Sequence, residues 1–289
     1  TCSATNSVIV NRGAAIAWAD VDPITGLIDP ADVGRKMTRR TKAIMAVDWG
    51  GAACDYRALR EYGIPIIEDA AHALLSRTQG ESIANAGGDY VCWSFQAIKH
   101  LTTGDGGALL PPRDQLERGR LLRWYGLDRK SNASFRCSQN IRESGYKYHM
   151  NDIAASIGLA NLPDVKSIVE AHRNNAKWYD SHLADLPHVI RPPRNEESAW
   201  WLYTLLVRER DEFIEFMKER GIEVSPVHAR NDTHDAFCFP NGVLRGADHF
   251  AAHEVAIPVG WWIGDVERKM VADTVREWSN RAEARYGSP

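Results

Sequence analysis

The sequence has no long apolar run and no excess of charge of one sign. None of its hydrophobic stretches approaches the ~18 residues that a membrane-spanning helix needs. Its net charge is -3, and the isoelectric point is near 6.4. Binding to nucleic acid or to an anionic membrane surface would need a basic patch, so the charge balance favours neither function.

Cysteine is scarce, and its five positions form no recognisable framework; they are Cys2, Cys54, Cys92, Cys137 and Cys238. Their number is odd, their spacings are wide and no CxxC pair occurs. This usage predicts reduced thiols in a cytoplasmic protein rather than disulfides or a zinc site. The histidines of "HARNDTH" lack the cysteine or carboxylate partners that would complete a metal site, so we predict no metal.

Length and composition are those of an ordinary globular protein. The chain has 289 residues, of which 44% are hydrophobic and 25% charged. That is enough chain for two lobes, each with its own core. From the change of character after the first half we predict a large domain over 1–164 and a small one over 165–289.

The first 110 residues alternate between strand and helix patterns. Strands are predicted at 15–22, 42–47, 64–73, 89–95 and 106–110, and helices at 29–37 and 55–63. Strands separated by helices predict an α/β fold with a mostly parallel sheet flanked by helices. Ligands bind at the carboxyl ends of the strands in such sheets.

The remaining chain predicts a smaller α+β unit. Helical patterns occur at 113–125, 150–162, 165–186, 210–221 and 264–284, with a strand in 200–207. The stretch 126–148 is polar and irregular, and 128–134 is expected to be an exposed loop.

Two short stretches carry residues suited to one kind of chemistry. "IIEDAAHA" places Asp69 at the end of a buried strand, with His72 just beyond it. "SFQAIKHLTTGDGG" places Lys99 before a glycine turn. A partly desolvated lysine can form a Schiff base, an acid can keep a pyridinium nitrogen protonated, and glycines let the backbone approach a ligand. A pyridoxal phosphate site requires these parts.

Each of these residues also has a structural interpretation. Asp69 could cap the turn that follows its strand. His72 could be a satisfied core histidine, Ser94 a strand hydroxyl and Lys99 a solvated cation. The order and spacing of the four argue for the functional interpretation.

Several stretches together resemble one protein family. They are "WADVDPITGLIDP", "RTKAIMAV", "EDAAHA", "SFQAIKHLTTGDGG" and "GYKYHMNDIAASIGLANL". In these the chain resembles the DegT/DnrJ/StrS sugar aminotransferases, pyridoxal 5'-phosphate enzymes of fold type I. The resemblance extends over nearly the whole sequence.

The resemblance implies roles for particular residues. Lys99 matches the lysine that bonds covalently to the cofactor and shuttles a proton, and Asp69 the acid that pairs with the pyridine nitrogen. His72 stands near the position of the phenolic oxygen, and Ser94 matches the serine that bonds the phosphate. Lys147 replaces an asparagine that reaches the phosphate of a neighbouring subunit, which implies a homodimer.

Two further expectations come from departures from the family pattern. "VSPVHARNDTH" differs from the usual substrate-contacting stretch, and His228, Arg230 and Asn231 are candidates for holding the phosphates or hydroxyls of a nucleotide sugar. Family members also carry a segment before "TCSATN", with a phosphate-binding turn and an aromatic residue that stacks on the cofactor. The sequence resembles a truncated member, so we expect these residues alone to bind the cofactor weakly.

The function implied by the resemblance is transamination of a nucleotide-linked keto-sugar, with an amino acid such as glutamate as donor. One alternative is the dehydratase branch of the family, which has histidine at the position of the covalent lysine; here position 99 is lysine and histidine follows at position 100. Another is a non-catalytic relic of the fold that acts as a sensor or an assembly subunit.

Overall fold

The computed structural model describes residues 1–131, 138–193, 197–239 and 242–287. Cys137 and the second half of the loop predicted at 128–134 lie outside the described residues.

A four-stranded sheet forms the centre of the first part of the chain. Its strands, in spatial order, are β1 (Ile44–Val47), β2 (Ile66–Asp69), β5 (Tyr90–Ser94) and β6 (Gly107–Leu110). The first three run parallel, while β6 returns antiparallel to β5. No helix separates β5 from β6, so the chain turns back within the glycine-rich stretch instead of crossing over the sheet. The predicted α/β class with a mostly parallel sheet is confirmed.

Short elements surround this sheet. A small hairpin joins β3 (Arg77–Thr78) to β4 (Glu81–Ser82). The helices, in chain order, are α1 (Ser3–Asn11), α2 (Pro30–Lys36), α3 (Tyr56–Arg60), α4 (Ile83–Ala86), α5 (Leu116–Leu122) and α6 (Asp152–Asn161). Helix α2 begins as its sequence predicts, because the Asp29 side chain accepts the N–H of Ala31 at 2.8 Å and Pro30 occupies the first helical position.

The strand predicted over 15–22 is wrong. Only a single antiparallel bridge, Val21 to Ile28, forms there. The two aspartates of this stretch bond backbone groups with their side chains instead. Asp20 accepts the N–H groups of Gly246 and Ala247, and Asp22 accepts those of Ile24 and Thr25 in a turn. Such local side-chain bonds compete with a strand ladder.

The second part of the chain is an antiparallel sheet covered by helices. Helix α7 (Val165–His182) precedes β7 (Val189–Ile190), β8 (Tyr203–Val207) and α8 (Arg210–Lys218). Helix α9 (Arg245–His253), β9 (Glu254–Ile257) and α10 (Asp265–Tyr286) follow. All five residues of β8 are buried, and the largest apolar cluster forms around it. Helix α9 and strand β9 were not predicted, and the domain boundary between 164 and 165 stays a prediction.

A tight turn, Trp49–Gly51, joins the two parts. The Trp49 ring is buried against Leu206 and Phe250, and its N–H donates to Thr204 Oγ1 at 3.2 Å. Gly51 has φ +99, and a Cβ there would lie 2.9 Å from the backbone nitrogen of Trp200. Only glycine permits this close approach, which brings the start of β8 next to the carboxyl end of β2. Among the described residues, none of the helices combines the length and the apolar character of a membrane span.

Candidate active site

The carboxyl ends of β2 and β5 place Asp69 and Ser94 at one edge of the central sheet, because the two strands are adjacent and parallel. The Asp69 carboxylate accepts the Thr5 hydroxyl at 2.5 Å and the N–H of Ala71 at 3.2 Å. Ser94 Oγ accepts the N–H of Gln96 at 3.3 Å. The first turn of α1 therefore supports the carboxylate predicted to face the cofactor.

Lys99 lies in the turn that connects β5 to β6. Its side chain is half-buried, and burial lowers its pKa from 10.5 to about 8, although the nearby Asp69 carboxylate acts in the opposite direction. The described residues give its amine no hydrogen bond and no ion pair. The Trp201 ring lies against it, with its centroid 3.7 Å from Nζ. An amine in this setting is neutral far more often than a surface lysine.

The turn after Lys99 has the conformation that its glycines predict. Gly104 and Gly106 have φ +79 and +146. The Thr103 hydroxyl donates to the Asp105 carbonyl at 2.8 Å, and a Cβ on Gly106 would lie 2.7 Å from that hydroxyl oxygen. The "TTGDGG" stretch thus holds the lysine on a short, closed turn.

His72 is buried beside Lys99. Its Nδ1 accepts the N–H of Gly50 at 3.3 Å. Burial, together with the positive charge of Lys99, holds the pKa of His72 well below its ordinary value. The ring is therefore neutral with its proton on Nε2, so that Nε2 is a hydrogen-bond donor.

His228 reaches the same place from the second part of the chain. Its ring centroid lies 6.2 Å from that of His72 and 5.8 Å from that of Trp49. Burial lowers its pKa to about 4, and Lys99 contributes in the same direction. Within the described residues, His228 Nε2 is buried without a hydrogen-bond partner. A buried polar atom of this kind is suited to meet a ligand group.

The two neighbours predicted with His228 have intramolecular partners. The Arg230 guanidinium forms ion pairs with Asp232 and Asp248. The buried Asn231 amide donates to the carbonyls of Thr1 and Cys2, at 2.8 and 3.3 Å. Of the predicted substrate-binding trio, the structure places His228 closest to Lys99 and His72.

Lys147 is not brought to this edge within one chain. It is exposed, forms a backbone bridge with Trp124, and its Nζ lies 5.1 Å from the centroid of that ring.

The described residues also contain no group of three or more His, Cys, Asp or Glu side chains that could hold a metal ion.

Sequence reasoning missed two residues of this site, Thr5 and Trp201. Thr5 precedes its partner Asp69 by 64 positions, and Trp201 lies 103 positions after Ile98, whose carbonyl accepts its indole N–H at 3.1 Å. Neither stands in a motif. Their contacts depend on tertiary structure, and one sequence carries no signal for them.

Comparison with known proteins assigns the chain to a family. The DegT/DnrJ/EryC1/StrS aminotransferase family matches residues 1–276. The chain belongs to this family. It is 31% identical over 289 residues to dTDP-4-dehydro-2,3,6-trideoxy-D-glucose 4-aminotransferase of Saccharopolyspora spinosa, in an alignment that covers 92% of this chain and 73% of that protein.

Solved structures of sugar aminotransferases share the fold. CalS13 of Micromonospora echinospora is similar with a TM-score of 0.91 and 36% identity, over 96% of this chain and 78% of that one. AtS13 of Actinomadura melliaura gives a TM-score of 0.90 and 38% identity, over 96% and 77%. The resemblance inferred from the motifs is confirmed.

Family members depend on pyridoxal 5'-phosphate, and the residues present fit this group. The edge offers a half-buried amine without an ion pair, a carboxylate, a neutral imidazole that can donate, and the hydroxyl of Ser94. A buried, unpartnered nitrogen of His228 completes the set. These groups match the parts of the cofactor. The amine can bond to its aldehyde, the carboxylate can pair with its pyridinium nitrogen, and the hydroxyl can bond its phosphate.

Proposed function

We propose that this protein transfers an amino group from an amino acid, with glutamate as the natural choice, to the carbonyl carbon of a nucleotide-linked keto-sugar. The observation that carries the proposal is the setting of Lys99. Its amine is half-buried, has a lowered pKa and lies at the strand edge near Asp69 and His72.

Five residues of the chain are assigned to the cofactor under this proposal. Lys99 bonds to the aldehyde carbon, Asp69 pairs with the ring nitrogen, and His72 donates from Nε2 to the phenolic oxygen. Ser94 bonds the phosphate, and Lys147 bonds the phosphate of a partner subunit. Bound pyridoxal phosphate supplies a protonated ring that withdraws electrons from the carbon that loses its proton.

Lys99 then serves as the general base and acid. The pKa of this amine, about 8, is close to neutral pH. A group with such a pKa can both take and return a proton efficiently. The rings of His72 and His228 are neutral. They therefore add no positive charge beside Lys99 that would lower its pKa further. The Asp69 carboxylate, which accepts the Thr5 hydroxyl, supplies negative charge to the same site.

His228 is proposed as the direct contact to the sugar acceptor, through its unpartnered Nε2. Arg230 and Asn231 are proposed to act near it: the ion pairs of Arg230 and the amide bonds of Asn231 hold the loop that carries His228.

A homodimer is proposed as well. Large apolar side chains are exposed on β6, around residue 148 and on α6, namely Leu109, Tyr148, Ile153 and Leu159. Met150 and α6 both pack against the turn that holds Lys99, since the Met150 methyl group lies near Gly106 and Gly158 lies against Thr103. A second copy would cover this surface close to the site.

The free thiols Cys2, Cys54, Cys92 and Cys238 support a cytoplasmic location.

The proposal is tested by following both half-reactions. Protein loaded with pyridoxal phosphate is mixed with glutamate, and the cofactor spectrum and 2-oxoglutarate are measured. A panel of nucleotide-linked keto-sugars is then added, and the products are identified by mass spectrometry. Lys99→Ala should abolish both steps, because no other group in the site replaces its amine, whereas Lys166→Ala, at an exposed lysine of α7, should leave them unchanged.

The outcomes separate the alternatives. A product that has lost a hydroxyl without gaining an amine would identify a dehydratase. Cofactor binding without turnover of any acceptor would favour the non-catalytic interpretation. Turnover by Lys99→Ala at the wild-type rate would overturn the assignment of the lysine.

A further inference from the structure

One aromatic side chain of the second part of the chain lies directly on the reactive edge. The Trp201 ring centroid is 3.7 Å from Lys99 Nζ. The His72 imidazole stacks on the same indole, with ring centroids 3.9 Å apart and an interplanar angle of 21°. The indole N–H of Trp201 donates to the carbonyl of Ile98, the residue before the lysine. Trp201 thus contacts both reactive side chains and is anchored to the backbone beside one of them.

The backbone before Trp201 explains this placement. Trp200 has φ +50, a conformation that is rare and costly for a bulky residue. Its N–H donates to Ser198 Oγ at 3.1 Å, and its carbonyl accepts from the buried His172 Nδ1 at 2.9 Å. These bonds hold the turn. Consequently the Trp200 ring is buried in the apolar cluster around β8, while the Trp201 ring lies against Lys99.

The distance to Nζ limits what can lie beside Trp201. A carbon bonded to that nitrogen is about 1.5 Å away, so it lies at most about 5.2 Å from the ring centroid. The substrate carbon that exchanges the amine must come to the same place. A substrate carbon that reaches the amine therefore comes close to the aromatic face, whichever carbon reacts.

The two substrates differ in how they suit such a face. An aromatic face carries partial negative charge, so it attracts the C–H groups of a sugar ring and repels a carboxylate. A glutamate donor brings two carboxylates. The contact therefore favours the sugar acceptor and gives the donor nothing.

We propose that Trp201 is a specificity-determining residue for the acceptor, and that its indole is the wall against which the ring of the keto-sugar packs while its carbonyl carbon meets the amine. This inference depends on the proposed function, because it assumes a sugar acceptor and an amino-acid donor.

The test compares the half-reactions in Trp201→Ala and Trp201→Phe. Trp201→Ala should lower kcat/KM for the keto-sugar nucleotide at least tenfold, mainly through KM, and change the single-turnover rate with glutamate less than threefold. Trp201→Phe keeps an aromatic face and should stay within threefold in both. Trp261→Ala, which removes an exposed indole of the same part of the chain, is the matched control.

A binding measurement separates acceptor contact from turnover. Calorimetric titration of the keto-sugar nucleotide into cofactor-loaded Lys99→Ala, with and without Trp201→Ala, should show at least tenfold weaker binding in the double variant. Equal loss in both half-reactions, or unchanged affinity for the sugar, would overturn the inference while transamination by the wild type stands. Failure of the wild type to transaminate would overturn the proposed function and this inference with it.

Discussion

The chemistry of Lys99 depends on how much of its amine is neutral. Its pKa of about 8 makes roughly one-tenth of the amine neutral at pH 7, whereas less than about one-thousandth of an ordinary lysine is neutral there. Burial causes the shift because it disfavours the charged form.

The pH dependence of covalent labelling tests this value. In cofactor-free protein, trapping of pyridoxal phosphate on Lys99 by borohydride should rise about tenfold per pH unit below pH 8 and level off above it. Peptide mass spectrometry quantifies the adduct, with the exposed Lys166 as an internal reference. A rate that continues to rise to pH 10 would show that the burial of Lys99 does not lower its pKa.

Asp69 has a structural and a catalytic interpretation that one variant can separate. Its carboxylate accepts one hydroxyl and one N–H, and an asparagine side chain can retain the oxygen acceptor. Asp69→Asn removes the negative charge that would favour a protonated ring nitrogen by about 1–3 pKa units. We expect transamination to fall at least tenfold, while the unfolding free energy changes by less than about 1 kcal/mol.

The measurement sets melting temperature beside turnover. Thr5→Val serves as the matched variant, because it removes the bond to Asp69 at 2.5 Å but keeps the charge. It should therefore reduce turnover less than Asp69→Asn does. If Asp69→Asn were destabilised by about 1–2 kcal/mol with its rate unchanged, the aspartate would be only a cap.

At the scale of elements, the carboxyl ends of β1 and β2 contain a second acidic group behind the site. Asp48 and Glu68 are both fully buried with their carboxyl groups close to each other, and Asp48 Oδ2 and Glu68 Oε1 have no other partner among the described residues. Asp48 also accepts the Tyr56 hydroxyl at 2.7 Å, and Glu68 accepts the N–H of Gly88 at 2.5 Å. Burial and the neighbouring carboxyl raise the pKa of Glu68 to about 9. The pair therefore holds a proton between its strands at neutral pH.

This proton makes the stability of the sheet depend on pH. The folded state keeps it up to about pH 9, whereas the unfolded chain releases it near pH 4.5. Since the folded state binds more protons in this window, the unfolding free energy falls as pH rises, by up to about 1.4 kcal/mol per unit. Glu68→Gln retains a donor for Asp48 without this proton, so it should lose stability less steeply between pH 6 and 8.

Denaturant unfolding at several pH values measures the two slopes. Glu223→Gln, at an exposed glutamate, should keep the wild-type slope. Parallel slopes for wild type and Glu68→Gln would mean that the buried pair does not hold a proton.

Elements with local signals could be predicted from the sequence, and elements that depend on distant partners could not. Helix α2 begins where Asp29 caps it and Pro30 fits, and β2 follows from a short apolar run before a turn. The stretch 15–22 misled because the side chains of Asp20 and Asp22 bond backbone groups, which an apolar pattern does not reveal. Trp201 depends on a positive φ at Trp200, which residue propensity disfavours.

At the scale of the whole molecule, the apolar surface next to the site is the main feature that one chain leaves unexplained. Ile153 is 77% exposed and Tyr148 75% exposed, and exposed apolar side chains clustered together commonly mark an interface. Lys147 lies next to Tyr148 in the sequence, and its Nζ lies over the Trp124 ring. Under the proposed homodimer it serves the site of the partner.

Mixed dimers test this arrangement. Lys147→Ala should weaken cofactor binding by about ten- to a hundredfold, since a charge-assisted bond to phosphate is worth about 1.5–3 kcal/mol and about 1.4 kcal/mol is a factor of ten. A dimer of one Lys99→Ala subunit and one Lys147→Ala subunit then contains one site with both groups intact, provided that Lys147 acts across the interface. Dimers isolated with two affinity tags should regain about half of the wild-type turnover at limiting cofactor. If Lys147 acted within its own subunit, neither site would be complete and activity would stay low; a monomer by light scattering would refute the dimer itself.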